Sequence, residues 1–250
     1  MSYAQFAFYY DELTQNVDYP ARARYFLEIL ERIGHNPGLT LDLACGTGSL
    51  TLELIRRGVD AFGADISPEM LTQAKDKAYE GGLDVLFLNQ PMQSLDLYGT
   101  VDTVVCMLDS INHLKNREQV QKTFERVHLF LNPDGCFVFD VNTRYKHRSV
   151  LANNAFVFDA DLVYCVWQNF LQADDSVKIQ LDFFEKQGKS YNRSSEAFTE
   201  QVYDEPELTQ MLQTAGFREI QVWEELTFER PREETQRLVF VCRKQGGSNG

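Results

Sequence analysis

Apolar residues recur at helical spacing in "YPARARYFLEILERIG", where Ala23, Phe26, Leu27 and Leu30 share one face and Gly34 provides a stop. Short apolar runs follow: "TLDLAC", "DAFGADI", "LDVLFLN", "VDTVVCML" and "GCFVFDV". Each of the first four precedes a polar or helical segment, as in "SPEMLTQAKDKAYEGG" and "NREQVQKTFERVHLFLNPDG". Alternation of this kind predicts a parallel sheet covered by helices on both faces. Beyond Val141 the pattern breaks. From about Phe156 to Tyr203, period-two stretches such as Val177, Ile179, Leu181, Phe183 are separated by turn-forming Ala-Asp-Asp-Ser and Gln-Gly-Lys-Ser, which predicts an antiparallel insertion. "DEPELTQMLQTAGF" returns to helix, and "REIQVWEEL" with "TQRLVFVCRK" closes the chain with two strands. The expected fold class is α/β: a seven-stranded, mostly parallel, Rossmann-like sheet with an antiparallel β insertion between its fifth strand and the following helix. Residues 1–150 and 204–244 are expected to form the main domain and 151–203 an inserted subdomain, with 245–250 a disordered tail.

Charge narrows the partners. The 250 residues carry 24 Lys+Arg against 37 Asp+Glu, a net charge of −13, so the average field repels nucleic-acid backbones and anionic lipid. Five cysteines are scattered, odd in number and without CxxC spacing, which disfavours a disulfide framework or a structural zinc site and fits reduced thiols in cytoplasm. His35, His128 and His147 are dispersed, so no metal is expected. The N-terminus lacks a basic region followed by an apolar one, and no apolar run reaches bilayer length, which predicts a soluble protein.

The chemistry gathers at "LTLDLACGTGSLTLELIRRG". A strand ending in a glycine turn and followed by a helix aims backbone N–H groups and the helix N-terminus at a ligand. Gly46 and Gly48 allow close approach, while Thr51 stands where GxGxxG has its third glycine. Asp65 ends the next strand, where an acid accepts hydrogen bonds from both hydroxyls of an adenosine ribose. Nicotinamide and methyl-donor sites share that feature. Asp42 separates them: it lies inside the first strand, where a dinucleotide site has an apolar residue, and suits a ligand with a positively charged amino-acid end.

These residues resemble class I methyltransferases that use S-adenosylmethionine, whose first motif reads much like "LDLACGTG". Tyr9-Tyr10-Asp11, "DISPEML", "VCMLDSINHL", "LNPDGCFVFDVNTRYK" and "FTEQVYDEPELTQMLQTAGF" are similar to the YqeM-like branch of bacterial methyltransferases, over about residues 6 to 244. The resemblance implies S-adenosylmethionine as cofactor, with Ala44 and Gly46 along its methionine part, Asp42 nearby and Asp65 on the ribose. Gly48 belongs to the same loop. It places Ile66 and Met70 on adenine, the Met92 backbone N–H on a ring nitrogen, Met107 beside the sulfonium and Tyr10 near the donor carboxylate. Arg22 could pair with that carboxylate, or simply lie on a solvated helix face. Pro91 departs from the pattern: relatives carry an acid there that bonds the adenine amine, so Gln90, Gln93 or a backbone carbonyl must substitute, at about 1 kcal/mol for a lost hydrogen bond.

A protonated acceptor needs a base, for which Asp109 and His113 are the candidates and Asn112 an orienting residue; a structural role for His113 stays open. The insertion, with Tyr164, Trp167, Phe170, Phe183, Phe184 and Tyr191, is expected to cover the site or to be glued to the domain by those rings. The acceptor pocket is expected between the sheet's C-terminal ends and the insertion, with His113, Tyr145 and Tyr203 facing it. Its occupant is expected to be a small molecule. Two other functions compete: a nicotinamide-dependent oxidoreductase, and a non-catalytic protein that binds S-adenosylmethionine.

Overall fold

The central strand forms because "LTLDL" buries both of its faces, and everything else is arranged around it. In a computed structural model, which describes residues 4–161 and 163–246, β1 (Leu39–Leu43) pairs in parallel with β2 (Asp60–Asp65) on one side and β4 (Val101–Cys106) on the other. With β3 (Phe87–Asn89), β5 (Leu131–Asn142), β10 (Phe217–Glu224) and β11 (Arg237–Lys244) it builds a seven-stranded sheet in the order β10-β11-β5-β4-β1-β2-β3. β11 runs antiparallel to both its neighbours and the remaining pairs are parallel, so the expected mixed sheet is present. The order reverses between β1 and β4, which opens a crevice at the strands' C-terminal ends.

Successive side chains divide between two cores, as the two-residue period of a strand requires. Val104, Cys106, Phe137, Phe139 and Val141 point to the face covered by α5 (Arg117–Phe130) and α6 (Glu205–Ala215), against Val120, Phe124, Leu208 and Leu212. Val105, Val138, Val239 and Val241 point to the other, against α2 (Tyr19–Arg32) and α3 (Ser49–Arg56) through Phe26, Ile29, Leu30, Leu50 and Leu54. Helix starts follow local chemistry: the Asp18 carboxylate accepts the Ala21 N–H at 2.8 Å, and the Ser67 hydroxyl accepts the Met70 N–H at 3.2 Å at the head of α4 (Pro68–Glu80).

The insertion forms its own four-stranded antiparallel sheet, β6 (Ala155–Asp159), β7 (Val163–Leu171), β8 (Val177–Gln187) and β9 (Ser190–Glu200), in that order. Its apolar face, with Val163, Cys165, Val177, Ile179, Leu181 and Phe183, is covered by Phe6, Tyr9 and Leu13 of α1 (Ala4–Leu13) and by Met70. Residues 247–250 of the predicted tail lie outside the described residues.

A buried clip fixes the sheet's last strand to the domain. Asn112 donates through Nδ2 to the Gln201 carbonyl at 2.7 Å and to the Asn142 carbonyl at 3.3 Å, and its Oδ1 accepts the Asn142 N–H at 2.9 Å. The Gln201 N–H returns a bond to the Asn112 carbonyl at 2.6 Å. Asn112→Ala keeps that backbone bond but leaves the Asn142 N–H and the Asn142 and Gln201 carbonyls without their side-chain partner where residue 112 is fully buried, so urea unfolding should show a loss of about 2–4 kcal/mol; a loss under about 0.5 kcal/mol would mean that the clip carries no weight.

Candidate functional site

Two adjoining cavities of about 240 and 160 Å³ lie in the crevice outside β1, β2 and β4. Ala44, Asp65, Ile66, Met92 and His113 line both. Pro91 lines the larger, and Tyr10, Gly46, Met70 and Met107 the smaller. Ten of the residues singled out in the sequence therefore converge on one crevice.

Its floor is set by Asp65. One carboxylate oxygen accepts the Gly46 N–H at 2.9 Å and the other the Ser67 N–H at 2.8 Å, which ties the glycine loop to the end of β2. Burial raises the Asp65 carboxyl, opposed by those two N–H bonds. The two glycines do different work. A Cβ at Gly46 would meet nothing within 4 Å, so the backbone there borders open space. At Gly48, with φ +73°, it would meet Ala74 at 2.9 Å and Phe87 at 3.1 Å, so this glycine lets α3 start against α4. Lys77 Nζ fastens the loop from behind, donating to Asp11 at 2.5 Å, Ser49 at 2.7 Å and Thr47 at 3.0 Å. An open glycine beside a carboxylate with spare lone pairs fits the hydroxyls and amino-acid end of S-adenosylmethionine.

Asp42 lies beneath the loop rather than on the cavity wall, its Oδ2 accepting the Thr51 hydroxyl at 2.6 Å. Burial, with a smaller push from Asp65, raises its carboxyl to about 7 against the Thr51 bond. Gln90 is unavailable to adenine, because its amide exchanges bonds of 2.9 and 2.8 Å with the Asp96 backbone; Gln93 remains on the wall.

Several expectations are corrected. Tyr203 does not face the crevice: it is 2% exposed and donates to the Leu114 carbonyl at 2.8 Å within the α5–α6 core. Tyr145, half-buried where a π-helical turn begins (Lys146–Leu151), lines neither cavity. Arg22 is paired with Glu225, which takes its charge away from the donor side. Asn112 is the buried clip and not a wall residue. None of Tyr164, Trp167, Phe170, Phe183, Phe184 and Tyr191 reaches the cavities. The inserted sheet instead meets the site through Phe198, whose ring lies 5.2 Å from that of His113, and through Glu200.

His113 is backed by Asp109, whose Oδ2 is 3.7 Å from Nε2. Asp109, with φ +53°, donates its N–H to Asp140 at 2.6 Å, while its Oδ1 receives Arg237 at 2.6 Å. Arg237 also binds Asp140 at 2.8 Å and Glu225 at 3.2 Å, so one buried guanidinium holds three acids. Burial opposes charge on both members of the pair. Arg237 and His113 nevertheless hold the Asp109 carboxyl low, and the Asp109 hydrogen bond, with Glu200 and Asp65, raises the imidazole. Ligating atoms of Asp109, His113 and Glu200 lie within 4.8 Å of one another, close enough to hold a metal ion; Arg237 and Lys146 already bring positive charge to that place. Glu200, Arg237, Lys146 and His147 escape sequence reasoning. Glu200 gives no sequence signal: of its row on β9 only Phe198 is apolar, and Asn192, Ser194 and Glu196 are polar.

The methyltransferase-domain family matches residues 40–135. The chain is 32% identical over 246 residues to YqeM of Bacillus subtilis (strain 168), a protein named as a methyltransferase, covering 98% of each. In three dimensions it matches a S-adenosylmethionine-dependent methyltransferase from Clostridium acetobutylicum ATCC 824 at TM-score 0.86 and 30% identity, over 98% of this chain and 99% of the other. A sugar N-methyltransferase, KedS8 from Streptoalloteichus sp ATCC 53650, shares the fold at TM-score 0.79 and 19% identity over 94% and 92% of the two chains. This protein is a S-adenosylmethionine-dependent methyltransferase, and within that class it belongs to the family of YqeM. Among the described residues no helix is long and apolar enough to cross a membrane.

The raised Asp42 carboxyl has a measurable consequence. Its folded value of about 7 exceeds the ordinary 3.8, so the folded protein holds this proton more tightly, and the associated stability is lost as pH rises through about 7. Asp42→Asn cannot ionise. Thermal unfolding without ligand should show its advantage over wild type growing by roughly 1.5–3 kcal/mol between pH 5 and 8. A gap that stays constant with pH would show that Asp42 is already ionised at pH 5.

Proposed function

We propose that the protein binds S-adenosylmethionine in the paired cavities and transfers its methyl group to a small-molecule amine, with His113 as the base. The observation that carries this reading is that His113, backed by Asp109, borders both cavities. In this reading Asp65 holds the ribose, Ala44 and Gly46 the methionine part, and Asp42 answers the donor's ammonium from below the loop. Ile66, 59% exposed at the rim, and Met70 pack on adenine beside Met92, with Pro91 in place of an acid. Met107 lies by the sulfur and Tyr10 by the carboxylate, its hydroxyl linked to that of Tyr19. Residues 1–150 with 204–244 are the donor-binding domain, and 151–203 the cover. Five free cysteines, four of them buried, suit a reducing cytoplasm.

When bound, the donor supplies a methyl carbon made electrophilic by its sulfonium. The protein's part is to hold the acceptor nitrogen in line, exclude water and take a proton. An amine arrives protonated and must shed a proton before its lone pair can attack; His113 Nδ1 receives it, while Asp109, which faces Nε2 at 3.7 Å, stabilises the imidazolium. Partial relatives act by name on nitrogen, as a glycine/sarcosine N-methyltransferase from Halorhodospira halochloris, 29% identical over about half of each chain, and on oxygen, as a magnesium-protoporphyrin O-methyltransferase from Synechocystis sp. (strain ATCC 27184 / PCC 6803 / Kazusa), 38% identical over about a third of each; the acids around His113 favour the cationic amine.

Calorimetry tests the donor half: S-adenosylmethionine should bind, Asp65→Ala should weaken it by roughly 1.5–3 kcal/mol, and Cys136→Ala, buried away from the crevice, should leave it unchanged. Equal affinity of wild type and Asp65→Ala would remove the ribose assignment. For the base, turnover of an amine acceptor should rise with pH through a midpoint above the ordinary histidine value of 6.5, because burial is outweighed by Asp109 and Glu200 and only the neutral ring accepts a proton. Rates that fall across that range would exclude His113.

A further inference from the structure

We propose that Glu200, brought to the site by the last strand of the inserted sheet, is a positioning residue for the His113 base, setting how strongly the ring holds the abstracted proton. The proposal rests on the reading of His113 as base.

The groups facing this place can be weighed one by one. Asp109 approaches from the turn after β4 and is the first partner of the ring, 3.7 Å from Nε2, but it shares its charge with Arg237 at 2.6 Å. Asp140, on β5, is held by the same guanidinium at 2.8 Å, and Glu225, after β10, is held by Arg237 and Arg22. Asp65, at the end of β2, is stabilised by two backbone N–H groups and, in the proposed reading, by the donor's ribose. Glu200 is different, for burial and Asp109 raise its carboxyl, and the two imidazoles, His113 and His147, with the Asn142 hydrogen bond, draw it back toward charge. It is 5% exposed, no arginine reaches it among the described residues, and its carboxylate accepts one hydrogen bond, from Asn142 Nδ2 at 3.0 Å. Lys146, the cation that senses it from the π-helical turn, gives its Nζ to Asn142 Oδ1 at 2.9 Å. His147, fully buried in the same turn, bonds the Asp175 carbonyl through Nδ1 at 2.8 Å and leaves Nε2 without a partner, 3.7 Å from Glu200 Oε2.

A buried carboxylate with one donor is costly unless a cation answers it. The ring that gains a charge during turnover is that of His113, tilted at 38° and 5.2 Å from that of Phe198, which lies two residues before Glu200 on the same strand face. Position is enforced: the Asn112–Gln201 clip and the Asn142 amide hold the end of β9, so the carboxylate cannot swing away while the inserted sheet is seated. When the acceptor's N–H bond breaks and its proton forms a bond to the imidazole, the electron pair stays on nitrogen and the new positive charge lies within reach of Glu200. The sheet that covers the site thereby also strengthens its base.

Nuclear magnetic resonance titration of the histidine rings in the full chain tests this without an acceptor. The His113 signal is identified by its absence in His113→Gln. In Glu200→Gln, close in shape, the His113 midpoint should fall by about one pH unit. In Glu200→Asp, which keeps the charge but withdraws it, the fall should be smaller, and this variant serves alone if the first does not fold. An unchanged midpoint in Glu200→Gln would overturn the proposal, as would a fall in Glu200→Asp of one pH unit or more, which would point to shape rather than charge. Failure of wild type to bind S-adenosylmethionine would instead remove the donor reading and leave the titration unaffected.

Discussion

The structure depends on one carboxylate doing two things at the end of a buried strand. Asp65 accepts the N–H of Gly46 and of Ser67, and so joins the glycine loop after β1 to the head of α4. A carboxylate has about four acceptor positions, so two remain for a ligand once the loops are fixed. The loop is thus shaped before any donor arrives, which lowers the ordering cost of binding. Lys77, Asp11, Thr47 and Ser49 extend the same restraint to α1, and α1 in turn covers the apolar face of the inserted sheet.

A second constraint is charge. Several acids crowd the C-terminal ends of the strands, and their mutual repulsion would open the crevice without compensation. Arg237, at the start of the antiparallel strand β11, compensates three of them at once. The reversal of β11 matters here, since it brings the beginning of that strand, and its arginine, to the edge where the parallel strands end. The balance leaves His113 beside Asp109, with Glu200 close by and held by no arginine among the described residues.

The period-two and helical patterns made the two sheets legible, local rules located the glycine loop, Asp65 and the candidate His113, and the family resemblance pointed to Met92. What escaped was set by distant pairing. Tyr145 and Tyr203 adjoin recognised segments, but the first stands at a π-helical turn too short to show a period and the second meets Leu114, 89 residues away. Arg22 reads as a free cation until Glu225 is folded against it, 203 residues on. The insertion's aromatic rings left open a cover over the site or a sheet glued to the domain; Phe183 and Trp167 pack in the seam with α1, as the second reading has it, while Tyr164, Phe170 and Tyr191 face outward. Glu200 was not visible, because its row on β9 is mostly polar and its partners, Asn142 and His147, belong to other elements.

The central claim is that the crevice beside Asp65 takes the methyl donor with its sulfur turned toward His113. A crystal structure with S-adenosylhomocysteine tests it most directly. The account predicts ribose hydroxyls at about 2.5–3.0 Å from the Asp65 carboxylate, the Gly46–Asp65 bond retained, and the sulfur between Met107 and the imidazole. The ligand bound elsewhere, or bound here with Asp65 turned away and the glycine loop rebuilt, would contradict it.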